Sequence, residues 1–210
     1  MQIYPENITF IIVCFKSEKV IFSCLNSLPR DSYKLIIENS NNFKLKKELE
    51  GRYKNLEVII NNQNSGFGAS NNLGIKKSKT PFAYVLNPDV KFKEDTMLNI
   101  TKATNNILDF TLLSPIHIDK KFPNYGPKKE HEKNLNDLFE VDEIDGFSML
   151  INKNKFTNDE YFDENFFLYL ENNDLCLRVK RKKEKIYIIN NSKIDHLGGS
   201  SSDPKFKSEI

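Results

Sequence analysis

The sequence predicts an α/β domain with a mostly parallel central sheet flanked by helices. Two observations predict this fold class. In the first half of the chain, short apolar runs suited to buried strands alternate four times with helix-forming segments, a pattern that favours parallel strands with helices on both faces. The 210 residues, 39% of them hydrophobic, are enough for one sizeable core, and neither an internal repeat nor a linker divides them.

The first half contains the clearest elements. A continuous apolar run predicts a first strand at residues 8–15. Ser17 then supplies a candidate N-cap for a helix over residues 19–28. The further predictions are a strand at 34–37, a helix at 43–53, a strand at 56–60, a helix that begins near Ala69, a strand at 82–86 and a helix at 94–106.

The second half is less regular. A short strand at 112–114 precedes a polar stretch, residues 115–140, that we interpret as a long excursion from the core. Aromatic residues are concentrated at 161–170. The remaining predictions are extended segments at 141–145 and 148–151, a helix at 175–181 and a strand at 186–189.

Composition excludes several function classes. The net charge of +2 is too small to favour a nucleic-acid partner. Cys14, Cys24 and Cys176 show no disulfide or zinc-site spacing, which indicates a reducing compartment. The N-terminus lacks a secretory signal, and no window approaches the ~20 apolar residues of a membrane span. The sequence therefore predicts a cytoplasmic protein.

Two carboxylates follow predicted strands. Pro88 cannot continue a sheet ladder, so the chain must turn there and leave Asn87 and Asp89 at the edge where open α/β sheets bind ligands. Glu38 ends another predicted strand at the same edge, where it could accept the imide N–H of uracil or thymine, or ribose hydroxyls. Asp also favours turns for local reasons, and Glu38 alone could be a solvated turn residue. The edge is thus a candidate site only if other groups converge there.

The glycine-rich stretch before Ala69 does not match a dinucleotide fingerprint. Gly66 and Gly68 follow the third predicted strand, whereas that fingerprint must follow the first. Small residues leading into a helix could still let backbone N–H groups approach a diphosphate.

Three further groups carry candidate chemistry. Glu171 and Asp174 are three residues apart and share one helix face, so either could act as a general base, although Asp174 could instead cap the helix. His196 could bind a metal together with Asp89, although a lone His before Gly-Gly is more often a loop residue. The basic run at 180–185 is either a solvated helix end or a contact with an anionic membrane surface.

Taken in order, seven segments resemble family 2 glycosyltransferases of the GT-A fold, especially the rhamnosyltransferase-like branch. They are residues 15–17, 36–40, 62–75, 86–90, 145–149, 162–178 and 196–200. The resemblance covers nearly the whole chain and implies one domain, residues 1–210, with a nucleotide-sugar-binding half at 1–110 and an acceptor and catalytic half at 111–210.

The resemblance implies an inverting, metal-dependent glycosyltransferase. It would move rhamnose or a hexose from a dTDP- or UDP-linked donor to a saccharide or lipid-linked saccharide, in polysaccharide or lipopolysaccharide assembly. Mn²⁺ or Mg²⁺ would lie between Asp89, His196 and the donor diphosphate, and Glu171 or Asp174 would take the acceptor proton. The implied donor-binding residues are Phe15, Ser17, Glu38, Asn39, Asn64, Gly66, Asn71, Asn87 and Asp89. The implied acceptor-side residues are Gly146, Phe147 and Arg178.

Departures from the family pattern keep alternatives open. Glu38 replaces the usual Asp, and Asn87 replaces the first Asp of a full DxD, which is ordinary for this branch. Asn172 stands where the family usually has the acidic base candidate, and Asn cannot accept a proton. We therefore favour Glu171 as the base, and the alternative is a catalytically impaired sugar-nucleotide binder that scaffolds a glycosylation complex.

A sugar-nucleotidyltransferase is disfavoured because residues 15–17 are not a Gly-rich phosphate loop. Relatives usually carry further C-terminal helices, which predicts that this chain is a minimal or truncated catalytic domain. Peripheral contact with the inner face of the cell membrane is a further expectation.

Overall fold

The computed structural model describes residues 3–105, 109–126, 134–135 and 138–198. Within these residues, ten strands form one sheet and two form a separate ribbon. The strands are β1 Ile8–Cys14, β2 Tyr33–Glu38, β3 Leu56–Ile60, β4 Phe82–Leu86, β5 Val90–Phe92, β6 Leu112–His117, β7 Tyr125–Gly126, β8 Asn134–Leu135, β9 Leu138–Glu140, β10 Glu143–Ile144, β11 Ser148–Asn152 and β12 Ile186–His196. The sheet order is β3-β2-β1-β4-β11-β6-β12-β9-β8, β5 pairs with β12, and β7 and β10 form the ribbon.

The helices lie on both faces of the sheet. They are α1 Ile21–Ser27, α2 Phe43–Arg52, α3 Gly66–Lys77, α4 Thr96–Thr104 and α5 Glu171–Arg181, with 3₁₀ turns at Pro5–Asn7 and Lys153–Lys155. One buried cluster lies under α1, α2 and α4, and a second lies under α3 and α5. None of the helices in the described residues is long and apolar enough to cross a bilayer.

The sheet is parallel in its first half and mixed in its second. Strands β1 to β4 pair in parallel, as predicted. Strand β11 then runs antiparallel to both β4 and β6, while β12 runs parallel to β6. As a result β1, β2, β3, β4, β6 and β12 end, and β11 begins, at one edge, which we call the carboxyl edge.

Most elements differ from their predicted bounds by one or two residues at an end, and four of them differ in ways that affect the carboxyl edge or its surroundings. Strand β6 continues through Pro115, and β12 continues to His196, so both reach the carboxyl edge. Helix α3 begins before Ala69, and α5 begins at Glu171. Residues 127–133 and 136–137 of the predicted excursion lie outside the described residues, and its last part, β8 and β9, joins the main sheet.

The prediction that Ser17 caps α1 is wrong. The Ser17 hydroxyl donates to the carbonyl of Phe15 and accepts from the Phe15 N–H, at 3.3 and 3.2 Å. Helix α1 begins only at Ile21 and has no side-chain cap. Ser17 instead stabilises the tight turn with which the chain leaves β1, where Lys16 adopts a positive φ of 53°.

Candidate active site

Glu38, the last residue of β2, is fully buried at the carboxyl edge. Its Oε1 accepts the backbone N–H of Ser40 at 2.6 Å and also the Ser40 hydroxyl. Its Oε2 is buried and has no hydrogen-bond partner. Since leaving a buried acceptor unsatisfied costs free energy, this oxygen is suited to accept an N–H or O–H from a ligand.

Asp89 lies in the predicted turn after β4, and its side chain has no exposed surface. Its Oδ1 is 3.3 Å from Nε2 of His196, and neither carboxylate oxygen accepts a hydrogen bond. The turn is held by the Asn87 N–H, which donates to the Phe147 carbonyl at 2.9 Å, and by the Leu197 N–H, which donates to the Asp89 carbonyl at 3.3 Å. The carboxylate and the imidazole that sequence analysis paired are therefore neighbours.

Aromatic rings orient His196. The ring of Phe147 stacks on it with centroids 3.9 Å apart and planes 22° apart. His117, to which sequence analysis assigned no role, contacts both rings edge-on, at 6.2 Å from His196 and 5.9 Å from Phe147. The predicted strand at 112–114 stopped short of His117. The signal that would have found it is the apolar Ile116 beyond Pro115, which continues the strand to the edge.

The donor set at this point fits a divalent cation. Carboxylate and imidazole together suit Mn²⁺ and similar ions. Within the part of the chain that the structure describes, no cluster of three or more His, Cys, Asp or Glu side chains could hold a metal by itself. Two protein ligands are enough where substrate phosphates complete the coordination, as is common for Mg²⁺.

Glu171 begins α5 and is buried. Burial raises the pKa of its carboxyl group, and its Oε2 has no hydrogen-bond partner. The residue before it, Leu170, occupies the N-cap position in the left-handed conformation, so the alternative that Asp174 caps this helix is wrong. Glu171 is therefore a buried carboxylate with a free acceptor oxygen.

Asp174 has a different environment although it lies only one turn away. Its carboxylate accepts from Nε of Arg178 at 2.8 Å and is partly exposed. The guanidinium of Arg178 also donates to the carbonyls of Glu160, at 3.1 Å, and Tyr161. Arg178, predicted on the acceptor side, thus holds the aromatic segment, residues 161–170, in place. The two base candidates differ in their environment, because Asp174 pairs with Arg178 whereas Glu171 has a free acceptor oxygen.

The other predicted donor-binding residues surround the start of α3. The Asn39 amide donates to Ser70 Oγ at 2.8 Å and to Asn64 Oδ1 at 3.2 Å, so Asn39 and Asn64 connect β2 to α3. The amide of Asn71 donates to the Phe67 carbonyl at 3.0 Å, and its Oδ1 is buried with no hydrogen-bond partner. Of these side chains, Asn71 has the acceptor that a ligand could use.

Asn72 is a structural residue that sequence analysis did not single out. Its amide donates to the Phe162 carbonyl at 2.8 Å and to Glu164 Oε1 at 2.9 Å, and its Oδ1 accepts the Phe162 N–H at 3.0 Å. This side chain fastens the aromatic segment to α3. The same contacts bring Glu171 near Gly68, where a Cβ built on Gly68 would lie 3.7 Å from Cβ of Glu171.

The predicted acceptor-side positions lie between α3 and α5. A Cβ on Gly146 would lie 3.3 Å from the Phe67 ring and 3.4 Å from Cβ of Asn172. The Asn172 amide donates to the Ile144 carbonyl at 3.2 Å. Phe147, as described above, stacks on His196, so its side chain belongs to the Asp89–His196 pair.

Gly66 has a packing role at the start of α3. Its N–H donates to Asn64 Oδ1 at 3.1 Å, and the next N–H, of Phe67, donates to the Phe167 carbonyl at 2.9 Å. Gly66 has φ +79°, and a Cβ there would lie 2.1 Å from the Phe167 carbonyl oxygen. The chain itself therefore occupies these two N–H groups, at the start of the helix that was expected to approach a diphosphate.

We expect Gly66→Ala to destabilise the fold by about 2–4 kcal/mol, because it combines a strained φ with a backbone clash. Urea unfolding followed by circular dichroism measures this. The matched control is Gly51→Ala, inside α2 with nothing within 4 Å of the added Cβ. It should stabilise by about 0.5–1 kcal/mol through helix propensity. Equal stability of the two variants would contradict the packing role.

The sequence is similar to those of known proteins. The sequence profile described as "Glycosyl transferase family 2" matches residues 9–175. The chain is 26% identical to the low-salt glycan biosynthesis hexosyltransferase Agl10 of Haloferax volcanii, over 88% of this chain and 65% of that protein. It is 25% identical to the rhamnosyltransferase WbbL of Escherichia coli K12, over 85% of this chain and 79% of that protein. The chain therefore spans about two thirds of the length of the first relative.

Solved structures resemble the fold. A structure of GalNAc-T7 with UDP, GalNAc and Mn²⁺ superposes with a TM-score of 0.72 at 14% identity, over 90% of this chain and 43% of that one. S. aureus TarS in complex with UDP-GlcNAc gives 0.69 at 17%, over 93% and 61%. A mannosyltransferase from Pyrobaculum calidifontis with GDP-Man and Mn²⁺ gives 0.69 at 9%, over 94% and 59%. At these identities the likeness shows a shared fold.

Proposed function

The chain belongs to glycosyl transferase family 2, and on that premise we propose that it is an inverting, metal-dependent glycosyltransferase. The GT-A fold predicted from sequence is present. One observation carries the proposal. Glu38, Asp89 and Glu171 are all buried around the carboxyl edge, and each has a carboxylate oxygen without a hydrogen-bond partner. Buried carboxylate oxygens without hydrogen-bond partners destabilise a fold, and they cluster where a ligand supplies the missing partners.

Glu38 would hold the pyrimidine of the donor. Its free Oε2 accepts the imide N–H that uracil and thymine share, while Ser40 fixes the other oxygen. The donor we propose is therefore UDP- or dTDP-linked, and it carries rhamnose or a hexose. Among the solved relatives, TarS carries UDP-GlcNAc and the Pyrobaculum enzyme carries GDP-Man, so the base can differ between relatives.

Asp89 and His196 would hold the divalent cation against the donor diphosphate. When bound, Mn²⁺ or Mg²⁺ neutralises charge that develops on the departing nucleoside diphosphate. The stacked ring of Phe147 covers one face of the imidazole, while the Nε2 edge lies 3.3 Å from Asp89 Oδ1. The two side chains are already in contact without a ligand, so the metal site would need little rearrangement when the ion binds.

Glu171 would act as the general base. Its raised pKa makes the carboxylate a better proton acceptor than an exposed one, and its free Oε2 can receive the acceptor hydroxyl. The acceptor oxygen bonds to the anomeric carbon, its proton passes to Glu171, and the bond to the diphosphate oxygen breaks with its electron pair. This single displacement inverts the anomeric configuration.

The acceptor we propose is a saccharide or lipid-linked saccharide of cell-surface polysaccharide assembly, on the cytoplasmic side of the membrane. In this scheme the donor residues lie in residues 1–110, while His196 and Glu171 lie in 111–210. A second candidate is a catalytically impaired sugar-nucleotide binder that scaffolds a glycosylation complex. Asn172 favours it, because its amide is engaged with Ile144 and cannot accept a proton.

One experiment separates these two functions. The protein is incubated with Mn²⁺ and a panel of UDP-, dTDP- and GDP-sugars, with a saccharide acceptor pool, while nucleotide release and thermal stability are followed together. Metal-dependent release of UDP or dTDP supports the transferase. Stabilisation by a nucleotide sugar without release would support the scaffold instead, and no binding of any donor would contradict both.

We expect Glu38→Gln to weaken UDP binding about tenfold or more, with little change in kcat at saturating donor. The amide must face either Ser40 or the imide N–H with its own donor group, which costs a hydrogen bond and leaves a mismatch. Calorimetric titration with UDP measures it. Glu57→Gln is the control, because that carboxylate accepts from the Tyr33 hydroxyl on the exposed surface of the neighbouring strand. Unchanged affinity in Glu38→Gln would remove Glu38 from the donor site.

A further inference from the structure

Four consecutive large apolar side chains are exposed immediately before Glu171. They are Phe167, Leu168, Tyr169 and Leu170, with exposed fractions of 57, 48, 58 and 61%. We call them the apolar tetrad. Contiguous exposed apolar surface of this kind marks interaction sites.

The backbone holds the apolar tetrad outward. The Phe167 carbonyl accepts the Phe67 N–H at 2.9 Å, which ties the first of the four to α3. Tyr169 and Leu170 have positive φ values of 68° and 70°. Such strained conformations persist where the surrounding structure determines them, and they are common at ligand clamps. The exposure is therefore part of the fold of this segment.

The outer face of α5 continues this surface. Leu177 is 46% exposed, and Arg181, four residues later, shares its face, opposite the buried Leu175 and Val179. The helix then ends in the exposed residues Lys180, Arg181, Lys182 and Lys183. Eleven helical residues span about 16 Å, so apolar and basic groups lie within one short surface.

Most of the basic side chains at the end of α5 lack an acidic partner among the described residues. Lys180 pairs with Asp142 at 2.8 Å. Arg181, Lys182 and Lys183 form no ion pair with any residue that the structure describes. The surface therefore presents uncompensated positive charge.

Acidic side chains close to this surface have partners of their own. Glu164 accepts from Asn72 and lies 3.9 Å from Lys76, and Asp163 accepts both the backbone and side-chain N–H of Asn165. Closer to α5, Glu143 accepts from the Asn173 amide at 2.9 Å, and Glu184 pairs with Lys155 at 3.0 Å. Among the described residues, none of these carboxylates forms an ion pair with the basic end of α5.

We propose that the apolar tetrad and the outer face of α5 dock on an anionic lipid bilayer. Exposed aromatic and aliphatic side chains enter the boundary between headgroups and acyl chains, and neighbouring Lys and Arg attract anionic lipids. Charge complementarity selects this partner over a second copy of the chain, which would bring the same positive charges together. The inference rests on the proposed function in one respect: Glu171 would then face an acceptor anchored in that bilayer.

Tryptophan fluorescence tests the docking directly, because the chain contains no Trp. We expect Leu168→Trp to shift its emission to the blue when phosphatidylcholine vesicles containing phosphatidylglycerol are added, and to shift back at high salt. The control is Phe43→Trp at the start of α2, a site 67% exposed beside the basic Lys44. It should not shift. No shift in Leu168→Trp, or an equal shift in Phe43→Trp, would overturn the proposal.

Co-sedimentation with the same vesicles tests the basic end. We expect Lys182→Gln with Lys183→Gln to weaken binding about thirtyfold, because each surface charge contributes to attraction by anionic lipid. Lys44→Gln with Lys47→Gln, the matched loss of two charges on α2, should bind like the original chain. No binding by the original chain, or equal losses in both pairs, would refute docking through α5. Circular dichroism melts confirm that each variant folds.

These measurements need neither donor nor acceptor. Absent vesicle binding alongside normal nucleotide release onto a water-soluble saccharide would reject the docking surface alone. Vesicle binding without any nucleotide release would reject the transferase alone. The two proposals therefore fail separately.

Discussion

Glu171→Gln is expected to lower kcat by about 10³-fold while UDP-sugar affinity stays within a factor of two, because positioned general bases typically contribute 10²–10⁴. The amide keeps the shape of the side chain at the start of α5 and removes only its ability to accept a proton. Single-turnover nucleotide release measures the chemical step, and calorimetry measures donor binding. Full activity in Glu171→Gln would contradict the assignment.

The pH profile gives a second readout for Glu171. The base must be deprotonated, so kcat rises with pH as the carboxyl group loses its proton. Burial raises the pKa of this group above its ordinary 4.5, so activity should fall on the acidic side at a pH above that value. In Glu171→Gln the remaining activity should lose this acidic limb.

Asp174→Asn is the matched control on the same helix. Its carboxylate pairs with Arg178 and is partly exposed, so its loss removes an i,i+4 pair that contributes about 0.3–0.5 kcal/mol. We expect kcat to change by less than fivefold, which corresponds to a change of about 1 kcal/mol in the activation free energy. A loss in Asp174→Asn as large as in Glu171→Gln would indicate that the two carboxylates act together.

The first half of the fold was predictable because its signals are local. Strands β3 and β4 have the bounds predicted from their apolar runs, and α2 begins at Phe43 as predicted. In each case turn-forming residues flank the element, and Asn42 caps α2 by accepting the Leu45 N–H at 2.9 Å. Local preference and tertiary structure agree there.

The second half depends on contacts that no local pattern records. Strand β12 reaches His196 because its last residues pair with β5, over a hundred positions earlier. Helix α5 begins at Glu171 after a left-handed Leu170, with none of the usual polar capping residues to mark the start. Ligand chemistry and the family resemblance therefore predicted the pairing of Asp89 with His196, but no local pattern predicted the strand that brings it about.

The roles of single polar residues were the least predictable part of the site. Ser17 resembles an N-cap, yet its hydroxyl bonds within the turn after β1. Glu171 and Asp174 are equivalent by spacing, and only burial and the position of Arg178 distinguish them. These differences arise from long-range packing, which competes with local propensity and overrides it.

We expect Asp89→Asn to abolish Mn²⁺-dependent binding of UDP and to lower activity at least 10²-fold. The change removes the carboxylate that lies 3.3 Å from Nε2 of His196 and keeps the size of the side chain. Asn forms turns as readily as Asp does, so the Asn-Pro-Asp turn should persist. Thermal shift with UDP, with and without Mn²⁺, measures the coupling of metal to nucleotide.

The stability of this variant without ligands decides between a functional and a purely structural Asp89. A structural carboxylate would be satisfied, and its replacement would destabilise the fold. Both oxygens of Asp89 are buried without hydrogen-bond partners. We therefore expect the free energy of unfolding of metal-free Asp89→Asn to be unchanged or to increase, by about 1–3 kcal/mol at most. Asp195→Asn, whose carboxylate pairs with the partly exposed Lys93 at 3.4 Å, is the control and should change neither stability nor binding appreciably. Lost binding together with retained or increased stability is what a ligand-binding carboxylate produces. Its burial without a partner destabilises the ligand-free fold, and only the bound ligand offsets that destabilisation.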